Sequence, residues 1–331
     1  MRIGLIGCGL HGRTRLSAAM VAIEPVELAA CADVDEAAAA GTASEWGYGS
    51  HYTDFREMLD REELDAVMVS LPHHLLKDAS LAVIGSGRRL FVEKPAGVNA
   101  VEVVAIRAAA ADAGLSAMVG YCMRYNPGRA RARELLAGGL VGEPVQVMAC
   151  KSAMPLTHWN ARPETGGGQL RWHGGHIVDQ VLWMLGGNPV RVHAETRWHP
   201  ETGADTESAF TIVFEKGMTA SVVVSASLAR HTDFFEVFGT QGRLRSEWPS
   251  ETIDIQSDLA PEYETPTRIT PLAPDYNEMY RLQMRDWVGS LIADSRPPIA
   301  MQAAVDVYRV IDAVYESSRT GAPVAIDPDR P

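Results

Sequence analysis

A short apolar run, Arg2-Ile3-Gly4-Leu5-Ile6, passes directly into Gly7-Cys8-Gly9-Leu10-His11-Gly12 and then into a helical pattern. That order restricts the fold more than any other feature of the chain. A strand that turns through G-x-G-x-x-G into a helix specifies a twisted sheet with its first helix packed against its first strand. The first glycine admits the tight turn, the second lets a ligand approach the backbone, and the third lets helix and strand pack closely. Amides at the helix N-terminus then face outward and suit an anion. The spacing alone is a weak signal, and its flanking strand and helix make it a strong one.

The alternation continues. Val26 to Asp33, Ala66 to Ser70, Leu90 to Val92 and Ala117 to Val119 read as further strands. Helices are expected from near Asp35, after Thr53-Asp54, after Pro72 and after Asn99. Strand-helix alternation predicts a doubly wound parallel sheet over residues 1–120, the first half of an α/β chain. Beyond Gly120 the pattern changes. A helix over roughly Gly128 to Ala137 precedes a strand, Val145 to Cys150. A loop over 151 to 165 then leads to a helix that ends at Gly186-Gly187. Four alternating runs follow, Val190 to Arg197, Ser208 to Phe214, Met218 to Ser225 and Phe234 to Gly239, with hairpin turns at Glu215-Lys216-Gly217 and Thr240-Gln241-Gly242. Residues 121–331 therefore read as an α+β domain with a large, mainly antiparallel open sheet. A covered outer face would make the protein a homodimer or homotetramer through that sheet. Residues 250 to 274 show prolines and little periodicity. Two helical patterns, from Asp275 to about Ala293 and from Met301 to Ser318, precede a tail from Asp327 to Pro331 expected to fray.

Composition narrows the function. At 331 residues and 46% hydrophobic, the chain can bury a substantial core, and two domains are expected. A formal net charge of −12 repels phosphate backbones and anionic membrane surfaces, so neither nucleic acid nor membrane is an expected partner. Cys8, Cys31, Cys122 and Cys150 form no C-x-x-C pair, which argues against a zinc knuckle or a disulfide framework and fits a reducing compartment. With no export signal or membrane-length apolar stretch visible, a cytoplasmic location is expected.

Two residues point to a cofactor and to chemistry. Asp33 ends the second strand roughly 20 residues beyond Gly12, where a carboxylate accepts hydrogen bonds from ribose hydroxyls. Its rival role is to cap the helix that begins near Asp35. A 2′-phosphate would meet Asp33 and Asp35 with no arginine beside them, which favours NAD over NADP. Lys94, in Glu93-Lys94-Pro95 at the end of Leu90-Phe91-Val92, places a cation where a nicotinamide could meet its substrate. A lysine ammonium offers three donors and can hold a reacting oxygen and help move its proton.

The fingerprint, Glu93-Lys94-Pro95, the run Gly166-Gly167-Gly168-Gln169-Leu170-Arg171-Trp172-His173-Gly174-Gly175-His176-Ile177-Val178-Asp179, and Phe238-Gly239-Thr240-Gln241-Gly242-Arg243-Leu244 together resemble the Gfo/Idh/MocA family. The resemblance covers nearly the whole chain. It implies NAD(P)-dependent oxidation or reduction at a carbon bearing a hydroxyl or carbonyl on a sugar, glycoside or cyclitol. Lys94 matches the family lysine near the nicotinamide, and His176 matches the histidine taken as acid-base catalyst. Gly7, Gly9, Leu10, His11, Gly12, Asp33, Leu71, Pro72, His73, Glu93 and Lys94 form the implied cofactor site. Arg124, His158, Trp159, Trp172, His173 and Asp179 are candidate substrate contacts.

Two departures from the family pattern stand out. Trp172 occupies the position of a frequent family aspartate, so His176 lacks that partner unless Asp179, three residues on and within same-face reach, or a distant acid replaces it. Trp172 could instead face a sugar ring or pack in the core. In Leu71-Pro72-His73, His73 replaces the family asparagine and either meets the nicotinamide or stands as a partly exposed histidine at a helix start. Glu93 shapes the turn or serves as a surface or capping acid. His173, His176 and Asp179 do not share one helix face, so no metal site is expected. Two other functions fit the scaffold. One is glycoside cleavage through transient oxidation and elimination, and the other is a non-catalytic dinucleotide-dependent regulator, which the presence of both Lys94 and His176 argues against.

Overall fold

Six short strands, β1 (Arg2–Ile6), β2 (Glu27–Ala32), β3 (Ser50–Tyr52), β4 (Ala66–Val69), β5 (Arg89–Glu93) and β6 (Ala117–Gly120), form one sheet in the order β3-β2-β1-β4-β5-β6. Every neighbouring pair is parallel. The computed structural model describes residues 1–152, 155–228, 231–271 and 276–327. Central strands are apolar along their whole length because helices bury a parallel sheet on both faces, and all four residues of β4 are buried. Short polar side chains start the helices. Asp35 accepts the Ala37 and Ala38 amides, Asp54 accepts that of Arg56, and Asn99 accepts that of Glu102. The strand order reverses between β1 and β4, where ligands of such sheets bind at the carboxyl ends of the strands. The sequence pattern missed β3, which has three residues and no buried face.

The units part at Cys122, close to the expected cut at residue 120, but a later segment returns to the first of them. The first compact unit takes Met1–Cys122 and also Asp275–Val305, and the second takes Met123–Pro274 and Asp306–Pro331. The returning segment is fastened by packing and by backbone. Trp287, fully buried in the helix Tyr276–Ile292, stacks at 5.3 Å on Phe91 of β5, and the Val119 amide of β6 donates to the Ile299 carbonyl at 3.0 Å. An amphipathic helix reads alike whichever sheet it covers, so the return was not visible in the sequence. The expected helix start at Asp275 lies outside the described residues, as does the tail beyond Asp327.

The second unit is built on nine strands: β7 (Pro144–Ser152), β8 (Pro189–Trp198), β9 (Asp205–Phe214), β10 (Thr219–Ser225), β11 (Asp233–Gly239), β12 (Gly242–Trp248), β13 (Thr252–Ser257), β14 (Thr267–Ile269) and β15 (Val324–Ala325). Their order is β14-β13-β12-β11-β7-β10-β9-β8-β15, and only β7 and β10 run parallel. Burial alternates along the strands, as in β9, where Phe210, Ile212 and Phe214 point inward. Val145, Met148 and Val223 are exposed on these strands. Both expected hairpins form, with Phe214 pairing to Met218 across Glu215-Lys216-Gly217 and Gly239 opposite Gly242. The region from 250 onward, read as irregular, contributes β13 and β14. No helix among the described residues is long and apolar enough to cross a membrane.

Candidate functional site

The turn after β1 fits the three roles assigned to its glycines. Gly7 has φ +98°, and a Cβ there would lie 2.0 Å from the Ser70 carbonyl oxygen at the end of β4. A Cβ on Gly12 would lie 2.0 Å from the Gly7 carbonyl oxygen, so this glycine lets the helix close on the strand. A Cβ on Gly9 would meet no protein atom within 4 Å, leaving bare backbone open to a pyrophosphate. The helix that follows is wound as a wide π-helical segment over Gly12–Ser17 before the regular turn Ala18–Met20, a local widening often found at functional sites. Leu10 stands exposed at the tip.

Asp33 keeps its carboxylate at the end of β2. Oδ2 accepts the Cys8 amide at 2.8 Å and Oδ1 accepts the Asp35 amide at 3.0 Å. The helix cap belongs to Asp35. Asp33 therefore braces the glycine turn and presents an acceptor at the strand end, which fits a ribose of NAD and opposes a 2′-phosphate.

At the end of β5, Glu93 is buried, at 6% exposure, rather than a surface acid. Its Oε2 accepts the Lys94 amide at 3.1 Å, and its Oε1 lies 3.0 Å from His11 Nε2 of the glycine turn. Gly120 of β6 makes room for this carboxylate, since a Cβ there would lie 2.8 Å from Oε1. The Ala96 amide donates to the Glu93 carbonyl at 3.0 Å and Ala96 adopts φ +72°, so the chain reverses sharply just beyond Lys94. His73 opens the helix His73–Gly85 and is 3% exposed, so it is not the partly exposed histidine that stood as the alternative to a nicotinamide contact. Leu76, one turn on, is buried too. Leu71 and Pro72 are half-buried at the end of β4. The fingerprint, Asp33, Leu71 to His73, and Glu93-Lys94 thus occupy the carboxyl ends of β1, β2, β4 and β5.

In the second unit the triple-glycine run leads into a wide turn, Leu170–Gly174, and then the helix Gly175–Leu185 that carries His176. The anchor of this start is a residue the sequence reading passed over. Asp205, buried at the head of β9, accepts the Leu170 amide at 2.7 Å and the Tyr315 hydroxyl at 2.7 Å. Gly168 has φ +123°, and a Cβ there would lie 2.0 Å from Asp205 Oδ1. Burial raises the Asp205 carboxyl pKa against the pull of those two donors, and burial beside Asp205 raises the Tyr315 phenol well above its usual range. The glycine run was the only local signal for this close approach. Trp172 and His173, both half-buried, meet edge to face with ring centres 4.1 Å apart. His158 is exposed at φ +52°, and Trp159 is half-buried with its carbonyl accepting the Thr165 hydroxyl.

Arg124 and Asp179 find each other. Arg124 Nη2 lies 2.6 Å from Asp179 Oδ1, and Nε lies 3.2 and 3.1 Å from the two carboxylate oxygens. Burial pushes the Asp179 carboxyl up while Arg124 pulls it down. Arg124 also packs over Trp183, 5.7 Å from the ring centre. Asp179 is 1% exposed, so this carboxylate, a candidate both for substrate contact and for the partner of His176, is engaged by Arg124. Arg124→Met would leave it buried without its cation and lower stability by roughly 3 kcal/mol. Thermal melting checks this, and adding Asp179→Asn should restore part of the loss. An unchanged melting temperature in the single variant would mean the pair contributes nothing.

Residues 1–121 match the model of the oxidoreductase family with an NAD-binding Rossmann fold, and residues 130–245 match the GFO/IDH/MocA C-terminal domain. The chain is 31% identical over 330 residues to D-xylose 1-dehydrogenase (NADP(+)) 2 of Haloferax volcanii, covering 99% of this chain and 100% of that protein. It is 26% identical to inositol 2-dehydrogenase 2 of Saccharopolyspora erythraea, covering 99% and 96% respectively. Its fold matches a levoglucosan dehydrogenase solved with NADH at a TM-score of 0.91 and 20% identity, over 99% of each chain. With both domain models matched in order and a relative aligned from end to end, the chain belongs to the Gfo/Idh/MocA family of NAD-binding oxidoreductases.

Proposed function

We propose that this protein transfers a hydride between NAD and a secondary alcohol or ketone carbon of a sugar, glycoside or cyclitol. Lys94 holds the reacting oxygen and His176 handles its proton. The observation that carries the reading is the built turn at the end of β5, where a buried Glu93 fixes the Lys94 backbone beside the cofactor fingerprint. Relatives named for xylose, inositol and levoglucosan support a polyol substrate.

NAD, held through the Gly9 backbone and Asp33, supplies the hydride-accepting carbon when bound. The Lys94 ammonium binds the carbinol oxygen and stabilises the negative charge that develops there during oxidation. A neutral His176 imidazole takes the hydroxyl proton, and in reduction the imidazolium returns it. The Haloferax relative carries NADP(+) in its name, whereas Asp33 and Asp35 here set two carboxylates against a 2′-phosphate.

The test is incubation with NAD and a panel of sugars, glycosides and inositols, following NADH and substrate structure together. One NADH per oxidised polyol is expected. Product that accumulates with no net NADH would replace this reading with transient oxidation and elimination. Failure of every polyol would remove it.

A further inference from the structure

Glu93 and His11 follow strands that are not neighbours. In the six-stranded sheet β4 lies between β1 and β5, so no backbone ladder joins the glycine turn to the Lys94 turn. Side chains make that connection. His11 Nε2 and Glu93 Oε1 lie 3.0 Å apart in an ion-pair contact, both atoms are buried, and neither makes a regular hydrogen bond, to the other or to any group among the described residues. The other carboxylate oxygen already accepts the Lys94 amide. Tyr280, on the helix Tyr276–Ile292 of the same unit, meets the imidazole edge-on with ring centres 5.3 Å apart and an interplanar angle of 74°. The imidazole is thus held between a phenol ring and a carboxylate while part of it stays exposed.

We propose that His11 is a positioning residue for Lys94, a bridge that fixes Glu93, and through Glu93 the Lys94 turn, to the cofactor turn. The proposal rests on the reading of Lys94 as the group that holds the reacting oxygen. Without the imidazole, the buried Glu93 would lose the nitrogen that stands 3.0 Å from Oε1 and would keep the Lys94 amide on Oε2. A small displacement of a group that contacts the reacting atoms lowers rate more than it lowers binding.

Full-length His11→Ala and His11→Gln separate the bridge from simpler roles, because glutamine returns a nitrogen close to the Nε2 position. In His11→Ala, amide hydrogen exchange at Lys94, read by NMR, should accelerate roughly tenfold, while that at Val119 stays unchanged. Turnover at saturating NAD and polyol should fall by about the same factor, with the polyol KM within roughly threefold of wild type. His11→Gln should restore both. Combining His11→Ala with Glu93→Ala should cost no more rate than Glu93→Ala alone.

Three results overturn the bridge: unchanged Lys94 exchange in His11→Ala, a loss confined to NAD affinity, or a double variant whose losses multiply. The exchange readout needs no substrate, so it also separates this proposal from the reaction it rests on. Faster Lys94 exchange in a protein that oxidises no polyol keeps the bridge and removes the reaction. Unchanged exchange in a protein that oxidises polyols does the reverse.

Discussion

Lys94→Met should remove turnover and leave NAD bound, and His176→Ala should do the same. Methionine keeps the length and apolar stem of lysine but loses the ammonium, so the reacting oxygen loses its cation while the turn fixed by Glu93 persists. The expected fall in kcat is roughly 10³-fold or more, the scale of a lost proton-transfer or charge-stabilising group. NAD affinity should stay within about threefold, because the fingerprint and Asp33 are untouched. Trp172 stands where the family often has an aspartate, and Asp179 is engaged by Arg124. Of the two variants, Lys94→Met should therefore cost more. Steady-state rates alongside NAD titration check both, and full activity in the pair would end the assignment of these roles.

Gly9→Val and Gly12→Ala should fail in opposite ways, although the two glycines stand three positions apart in one turn. A Cβ at position 9 meets no protein atom within 4 Å, so Gly9→Val should fold and melt like wild type. It fills the approach to the backbone that a pyrophosphate needs, and NAD affinity should drop by roughly 100-fold or more. At position 12 the added methyl would sit 2.0 Å from the Gly7 carbonyl oxygen, a collision that only movement of the strand or helix can relieve. Gly12→Ala should lose roughly 3 kcal/mol of stability, with its NAD defect following from the damaged turn. Normal NAD binding by Gly9→Val would show that the pyrophosphate does not use this turn.

What could be read in the sequence was local. The glycine turn, the Asp35 and Asn99 helix starts, the Lys94 turn and both hairpins each depend on a few consecutive residues whose backbone preferences agree with the fold. What could not be read joins residues far apart. Asp205 reaches back to Leu170 and Gly168, and Arg124 takes the carboxylate of Asp179. His11 reaches past β4 to Glu93, and Trp287 returns to Phe91. No periodicity encodes such pairings. His73 stayed open between a nicotinamide contact and an exposed helix start because a polar residue after proline suits either, and its burial removes the second. β3 and β14 escaped notice because three residues show no alternation.

The return of residues near 300 to the first unit has a consequence for how the protein is made. Translation delivers the glycine turn first and the helix bearing Tyr280 and Trp287 only after residues 123–274 of the second unit, so the first unit is not complete until Val305. Until Ile299 emerges, β6 keeps an unpaired edge, and until Trp287 emerges, Phe91 lacks its cover, as do nascent intermediates that need chaperone protection. Tyr280 arrives in the same stretch. A chain stopped at residue 122 would therefore have its fingerprint complete and lack both the returning segment of the first unit and the Tyr280 ring against His11.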